Sequence, residues 1–297
     1  MVSLAGGTLV AIALAIGLAG HGHDFIVALG SAPFWVLGAA VALHVLWLVA
    51  RSEAWRVCID AAGGSVSRRR LYRAASVGYL ANIFNGQFGL AVRIAALRRS
   101  APRECPRAPV LLAAELPIVV VEAALAAICS FTLVGPLGIP WWVPLVSFAA
   151  MAALIVGMQR VARNRREGFW TGIAVLRGMR GRSRLIGLVC FAVVLQIARN
   201  WLILNWSGVD ASVLDSTALL IGLAVVGLFP IGPSMGAAAA VLILGTNGVA
   251  AAAAAGALLT ATAAVGALCF ASWALVDRLW LRHQPPDVVP ALPVPAA

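Results

Sequence analysis

The chain alternates long apolar runs with short polar stretches. Residues 4–20, 27–50, 108–135, 140–158, 185–206 and 249–276 are almost uninterrupted hydrocarbon, and most come close to or exceed the ~20 residues a helix needs to cross a bilayer. Two further stretches, 79–99 and 216–247, are also apolar but broken at their centres. The first carries Asn82, Asn85, Gly86, Gln87 and Gly89, and the second carries Pro230, Gly232, Pro233, Ser234 and Gly236. Backbone freed from a helix at membrane depth has to be covered by protein or line a polar cavity. The pattern predicts an all-α polytopic membrane protein with about six transmembrane helices plus two re-entrant helical hairpins.

Composition narrows the class. Hydrophobic residues make up 62% and charged residues 11%, with a mean hydropathy of +0.96, whereas a soluble domain has roughly a quarter of its residues charged. A water-soluble core cannot absorb that much apolar surface. The longest polar stretch, residues 159–184, leaves no room for a soluble catalytic domain. Residues 277–297 are Pro-rich and read as a disordered cytoplasmic tail. The first run lacks a basic flank of the kind a secretory signal carries, so it is expected to stay as the first span. Five cysteines at 58, 105, 129, 190 and 269 show no CxxC and no pairing pattern, so free thiols are expected.

Charge sets the topology. All 22 basic residues are arginine, the net charge is +11, and the arginines cluster at 51–73, 93–107, 160–184 and 278–282. Short basic loops face the cytoplasm. A full crossing by residues 79–99 would put one basic cluster on the wrong face, and a hairpin entering and leaving from the cytoplasm removes the conflict. Residues 216–247 must likewise go in and come back, but from the outside. The protein is therefore expected in the cytoplasmic membrane, multi-pass, with both termini cytoplasmic. Laying Gly89 on Gly236, an offset of 147, superposes the two broken stretches and suggests an inverted repeat of residues 1–135 and 140–276 within one domain, 1–276. Such paired interruptions mark substrate sites in transporters. Short Gly-rich segments also match by chance, so the repeat is a hypothesis at this point.

Charges within the spans are functional candidates. Glu115 and Glu122 lie seven apart and share a helix face, and Arg199 sits inside 185–206. Depth counting predicts a Glu122–Arg199 pair, with Arg199 and Asn200 offering donors to a lipid phosphate; a purely structural bridge is the rival reading. Arg93 is read as either a guard of the cytoplasmic mouth or an interface anchor. The loop 160–184, with Arg163, Arg165, Arg166, Trp170, Arg177 and Arg180, reads as an interfacial helix on anionic lipid or as a solvated loop. "HGHDF" reads as an external turn, and His21, His23 and Asp24 in it are too few for a metal site. His44 reads as a satisfied helix-interior histidine. No phosphate-binding loop and no nucleophile–base pair is present, so neither metal, cofactor nor nucleic acid is expected.

The segments "ARSEAWRVCIDAAGGSVSRRRLYRAASVGYLANIFNGQFGLAVRIAALRR", "APVLLAAELPIVVVEAALAAI" and "LFPIGPSMGAAAAVLIL" resemble the flippase-like family that includes the membrane region of bacterial lysylphosphatidylglycerol synthases. That family carries a segment similar to Asn-x-x-Pro-Gly-x-x-Gly-Glu-x-x-Arg. Here Asn82, Gly89 and Arg93 match it, Asn85-Gly86 replaces Pro-Gly, and Leu90 replaces the acidic residue. In the next helix the family's Glu-Arg pair reads Glu115-Leu116, and its Asp reads Val119 with Glu122 nearby. The resemblance implies translocation of an anionic or polyprenyl-linked lipid, with membrane lipids as partners. A lipid-modifying transferase and a non-transporting partner of an envelope-biosynthesis enzyme are the alternatives, and a homo-oligomer is compatible with all three. Without the synthases' aminoacyl transferase domain, the chain is not expected to make an aminoacylated lipid by itself.

Overall fold

The computed structural model describes residues 21–84, 88–165, 167–226, 235–244 and 248–283, all in helices and short links. The expected first span, Asn85, Gly86, Gln87, Arg166, Pro230, Gly232, Pro233, Ser234 and the tail from 284 lie outside these residues. In chain order the elements are α1 (Gly22–Gly30), α2 (Phe34–Ala61), α3 (Arg68–Phe84), α4 (Phe88–Ser100), α5 (Ala108–Ala113), α6 (Leu116–Cys129), α7 (Val134–Leu137), α8 (Trp142–Asn164), a 3-10 segment (Gly168–Leu176), α9 (Met179–Trp206), α10 (Val213–Val226), α11 (Met235–Leu244) and α12 (Val249–His283).

Five helical segments, 34–61, 108–137, 142–164, 179–206 and 249–280, are long and apolar enough to span a membrane. They coincide with the five expected spans inside the described residues, with shifted bounds. The external turn expected at "HGHDF" is instead part of α1, and Pro33 starts the next helix at its N-cap position. The second span does not stop at Arg51 but runs on to Ala61, carrying Arg51 and Arg56 of the first basic cluster inside the helix.

Antiparallel α2 and α9 form the centre. Glu53 meets Arg184 at one end, His44 meets Arg199 in the middle, and Trp35 packs on Trp206 at the other end. One core lies on each side of this pair. The first joins Trp55, Ile59, Leu71, Leu97, Leu111 and Ile118 from α2 to α6 with Leu185 of α9. The second joins Ile203, Leu204, Leu219 and Ile243 with a set of alanines on α10, α11 and α12. Hydrophobic burial does not drive helices together in lipid, whereas small side chains that let backbones approach do. That accounts for the alanine content of the second core.

The break in the first polar stretch joins two packed helices. α3 and α4 run antiparallel: Ser65 N–H donates to Glu104 O at 3.1 Å and Arg70 pairs with Glu104 at 2.5 Å, closing the open end. Near the other end a Cβ on Gly78 would lie 2.7 Å from both Arg93 Cβ and Gly89 O, and one on Gly89 would overlap Asn82. Only glycines permit this approach.

Residues 160–184, expected as an interfacial helix or a solvated loop, comprise the end of α8, the 3-10 segment and the start of α9. α8 continues to Asn164, and Gly172, Ile173 and Val175 of the 3-10 segment are buried, with Gly172 seated against α5. Arg177 donates through Nε to Ala162 O at 2.7 Å and through Nη2 to Arg165 O at 2.9 Å, satisfying carbonyls at the end of α8. Arg163, Arg165, Trp170 and Arg180 are exposed.

Candidate functional site

Pro117 sets the site up. A proline within the first turn of a helix lacks the N–H that would continue the preceding turn, and the run 108–129 accordingly breaks at Ala114–Glu115 between α5 and α6. Glu115 sits at that break, buried, facing α2 and α4. Arg51 Nη2 reaches Glu115 Oε1 at 2.6 Å, and Arg93 Nη2 reaches Glu115 Oε2 at 2.5 Å. Two turns along, Glu122 accepts from Arg51 Nε at 3.1 Å. Glu115 and Glu122 do share a face, and the cation they share is Arg51.

Two guanidinium groups and two carboxylates thus form one chain of ion pairs, Arg93–Glu115–Arg51–Glu122. Arg93 also lies 4.0 Å over the ring of fully buried Trp55, which a cation favours through the ring quadrupole. Among the described residues, Arg51 Nη1 and Arg93 Nε are buried without a hydrogen-bond partner, so the network keeps donor capacity that its own carboxylates do not use.

The network forms one wall of a cavity of about 270 Å3. Trp47 and Arg51 come from α2, Gly78, Tyr79 and Asn82 from α3, Gly89, Leu90 and Arg93 from α4, and Glu115 and Glu122 from the segment 108–129. A cavity with these charges amid apolar spans is unlike the dry small-residue packing of the second core.

Of the residues expected to bind substrate, the structure gathers Asn82, Gly89, Arg93, Glu115 and Glu122 around this cavity. Arg93, read as a mouth guard or an interface anchor, is 5% exposed, paired with Glu115 and part of the cavity lining. The expected Glu122–Arg199 pair does not form. Arg199 lies on α9 behind the cavity wall, bonded to Thr262 Oγ1 at 2.8 Å, Gln196 Oε1 at 3.2 Å and Leu259 O, with His44 Nδ1 at 3.4 Å. Similar depth from the inner ends did not put the two residues on facing sides. Asn200 is 1% exposed beside it, and Gly236 packs on Gly256 of α12. His44 is a helix-interior histidine, stacked on Trp47 with ring centroids 5.1 Å apart.

Sequence reasoning missed Arg51, Trp47, Gly78 and Tyr79. Arg51 was placed in a basic loop because it opens a run of arginines. The signal against this is "SEAWRVCIDAA", which follows it without a helix breaker before Gly63.

The described residues hold no group of three His, Cys, Asp or Glu side chains able to share a metal ion. A second cluster sits at the arginine-rich end, where Glu53 accepts from Tyr72 OH at 2.7 Å and Arg68 Nε at 3.2 Å, with Arg56 at 3.3 Å. Arg73 clamps Asp277 with Nε at 2.9 Å, tying α3 to the end of α12. These contacts fix the hairpin against its neighbours.

Comparison of the chain with protein families, with curated proteins and with solved structures finds no match.

Proposed function

We propose that the chain is a flippase-like carrier, translocating a lipid with an anionic or polyprenyl-linked headgroup across the cytoplasmic membrane. The observation that carries this reading is the charged cavity walled by α2, the α3–α4 hairpin and Glu115. A headgroup takes the place of water among Asn82, Arg51 and Arg93, while its chains stay in the bilayer.

The hairpin geometry supports re-entry. Helices of 17 and 13 residues reach only about 25 and 20 Å at ~1.5 Å per residue, and both open ends meet at Glu104 beside the arginine clusters. The positive-inside rule makes that end cytoplasmic. α10 and α11 are shorter still, 14 and 10 residues, and α10 begins from the Trp206 end, the opposite face.

A repeat underlies the two hairpins. α2 and α9 are both 28 residues long, and each ends on a glycine with positive φ, 88° at Gly63 and 81° at Gly208. Gly64 N–H then bonds Ile59 O at 3.0 Å, and Val209 N–H bonds Leu204 O at 3.1 Å. The next helices start on Ser67 O and Ser212 O, which accept from Leu71 and Ser216. These pairs share an offset of 145, while α4 and α11 begin 147 apart, at Phe88 and Met235. The offset read at Gly89–Gly236 equals that between the starts of α4 and α11, two more than the offset of the helices before them.

Translocation of a fluorescent phospholipid in proteoliposomes tests the reading. Arg93→Gln and Glu122→Gln are expected to slow it at least tenfold. Wild-type rates in both variants would refute the cavity as the route.

A further inference from the structure

The two halves differ at one pair of positions in a way that packing does not require. At the offset of 147 that relates α4 to α11, Glu115 corresponds to Thr262. In the first half an arginine from the central helix, Arg51, reaches Glu115. In the second half Arg51 corresponds to Gln196 at the offset of 145, and Arg199, one turn further along that helix, reaches Thr262 Oγ1 at 2.8 Å. The architecture is repeated, but the carboxylate is not.

The electrostatic outcome differs accordingly. Arg51 and Arg93 are matched by Glu115 and Glu122, so the cavity network is internally neutral. Arg199 is 5% exposed, and its contacts are a carbonyl, a hydroxyl, an amide oxygen and an imidazole nitrogen. None of these carries negative charge. An ionised guanidinium inside a membrane span is costly unless an anion meets it. Among the described residues its Nε is buried with no hydrogen-bond partner, and the adjacent Asn200 Nδ2 is buried and unpaired as well. Arg199 is also not remote from the cavity. His44 faces it across 3.4 Å and stacks on Trp47, a cavity-lining residue.

We infer that Arg199, with Asn200 beside it, is a second anion-binding position, one turn from the repeat-related counterpart of Arg51, and that it receives a phosphate group where the second half has no carboxylate. A planar guanidinium with free Nε suits phosphate oxygens. This rests on the repeat within the proposed carrier and gives that carrier two stations. The cavity network holds the headgroup on one side of the α2–α9 pair, and Arg199 holds its phosphate on the other. His44 and Trp47 stand between them. Because Arg199 is uncompensated and Arg51 is not, the second station takes the charge and the first mainly the polar shape.

The decisive variant restores the first half's chemistry in the second. Thr262→Glu places a carboxylate against Arg199, and Thr262→Gln adds similar bulk without charge. The full chain, purified in maltoside detergent to avoid competing phosphate, is titrated calorimetrically with dihexanoyl phosphatidylglycerol, with inorganic phosphate, and with dioctanoyl glycerol as a phosphate-free control. Wild type is expected to bind the phospholipid, and Thr262→Gln sets the reference for added bulk without charge. Thr262→Glu is expected to bind at least tenfold more weakly, while its melting temperature without ligand is equal to wild type or higher. Arg199→Gln gives the same loss by the opposite change. Equal binding of inorganic phosphate would keep the site and make free phosphate its ligand.

Undiminished phospholipid binding in Thr262→Glu, or no phosphate-dependent binding by wild type, overturns the inference. The carrier reading fails separately: wild-type proteoliposomes that move no lipid refute it whatever the titrations give.

Discussion

Glu115 is the residue on which the cavity network turns, and its removal has a calculable cost. Glu115→Gln keeps the side-chain shape but leaves two buried guanidinium groups without their shared anion. Arg51 retains Glu122 at 3.1 Å. Arg93, 5% exposed, retains only the ring of Trp55 at 4.0 Å, which offsets about 1–2 kcal/mol. Breaking a buried pair by deleting one partner costs ~3–5 kcal/mol, because an uncompensated charge remains. Glu115→Gln should therefore lose about 3 kcal/mol, most of it through Arg93. At ~2–4 °C per kcal/mol for a chain of a few hundred residues, the melting temperature falls by roughly 6–12 °C. The refinement is the double variant. Arg93→Met with Glu115→Gln removes the stranded cation and leaves the Arg51–Glu122 pair whole, so it should recover most of the loss, a coupling of about 2 kcal/mol. Thermal unfolding in detergent, monitored by tryptophan fluorescence, reads Glu115→Gln, Arg93→Met and the double variant. A Glu115→Gln protein melting within about 2 °C of wild type, or a double variant less stable than Glu115→Gln alone, would refute the view that Arg93 is held by Glu115.

Two other changes probe the hairpin. Gly78→Ala places a methyl group 2.7 Å from Arg93 Cβ and Gly89 O, so α3 and α4 must part; about 1–3 kcal/mol of stability is expected to go, with translocation lost, and unchanged melting would show the helices to be looser than the contacts imply. Single cysteines at positions 69 and 103 in a cysteine-free background should both be labelled by an impermeant maleimide from the cytoplasmic face, and labelling from opposite faces would show that residues 68–100 cross the membrane.

How far the sequence carried this picture depends on what each feature needs. The five spans in the described residues were legible because an apolar run of the right length has few other uses, and the positive-inside pattern grouped the arginine ends together. The α3–α4 pair was legible for the same electrostatic reason. The extent of α2 was not. Arginine at 51 looks like the edge of a loop when read as a charge, and only the pairing with Glu115 and Glu122, 64 and 71 positions away, shows why it stays in the helix. Pro117 was visible, but its effect, turning Glu115 toward α2, requires knowing which helix stands opposite. The 3-10 segment was not legible because arginines crowd both of its flanks, while Gly172 and Ile173 inside it decide the packing.

The failed Glu122–Arg199 pairing shows where such reasoning stops and what the structure adds. Depth along a helix follows from counting residues at a fixed rise, so two charges can be assigned the same level with fair accuracy. Azimuth does not follow, because it depends on which neighbours each helix chooses. Here α9 turns Arg199 toward α12 and His44, whereas α6 turns Glu122 toward Arg51. A sequence reading that asks charges to cancel will pair the nearest opposite signs, and in a single-core protein that rule serves. In the proposed two-half carrier, neutrality is met within one half and left open in the other. The open half is then the one whose charge is free to recognise something that is not part of the chain.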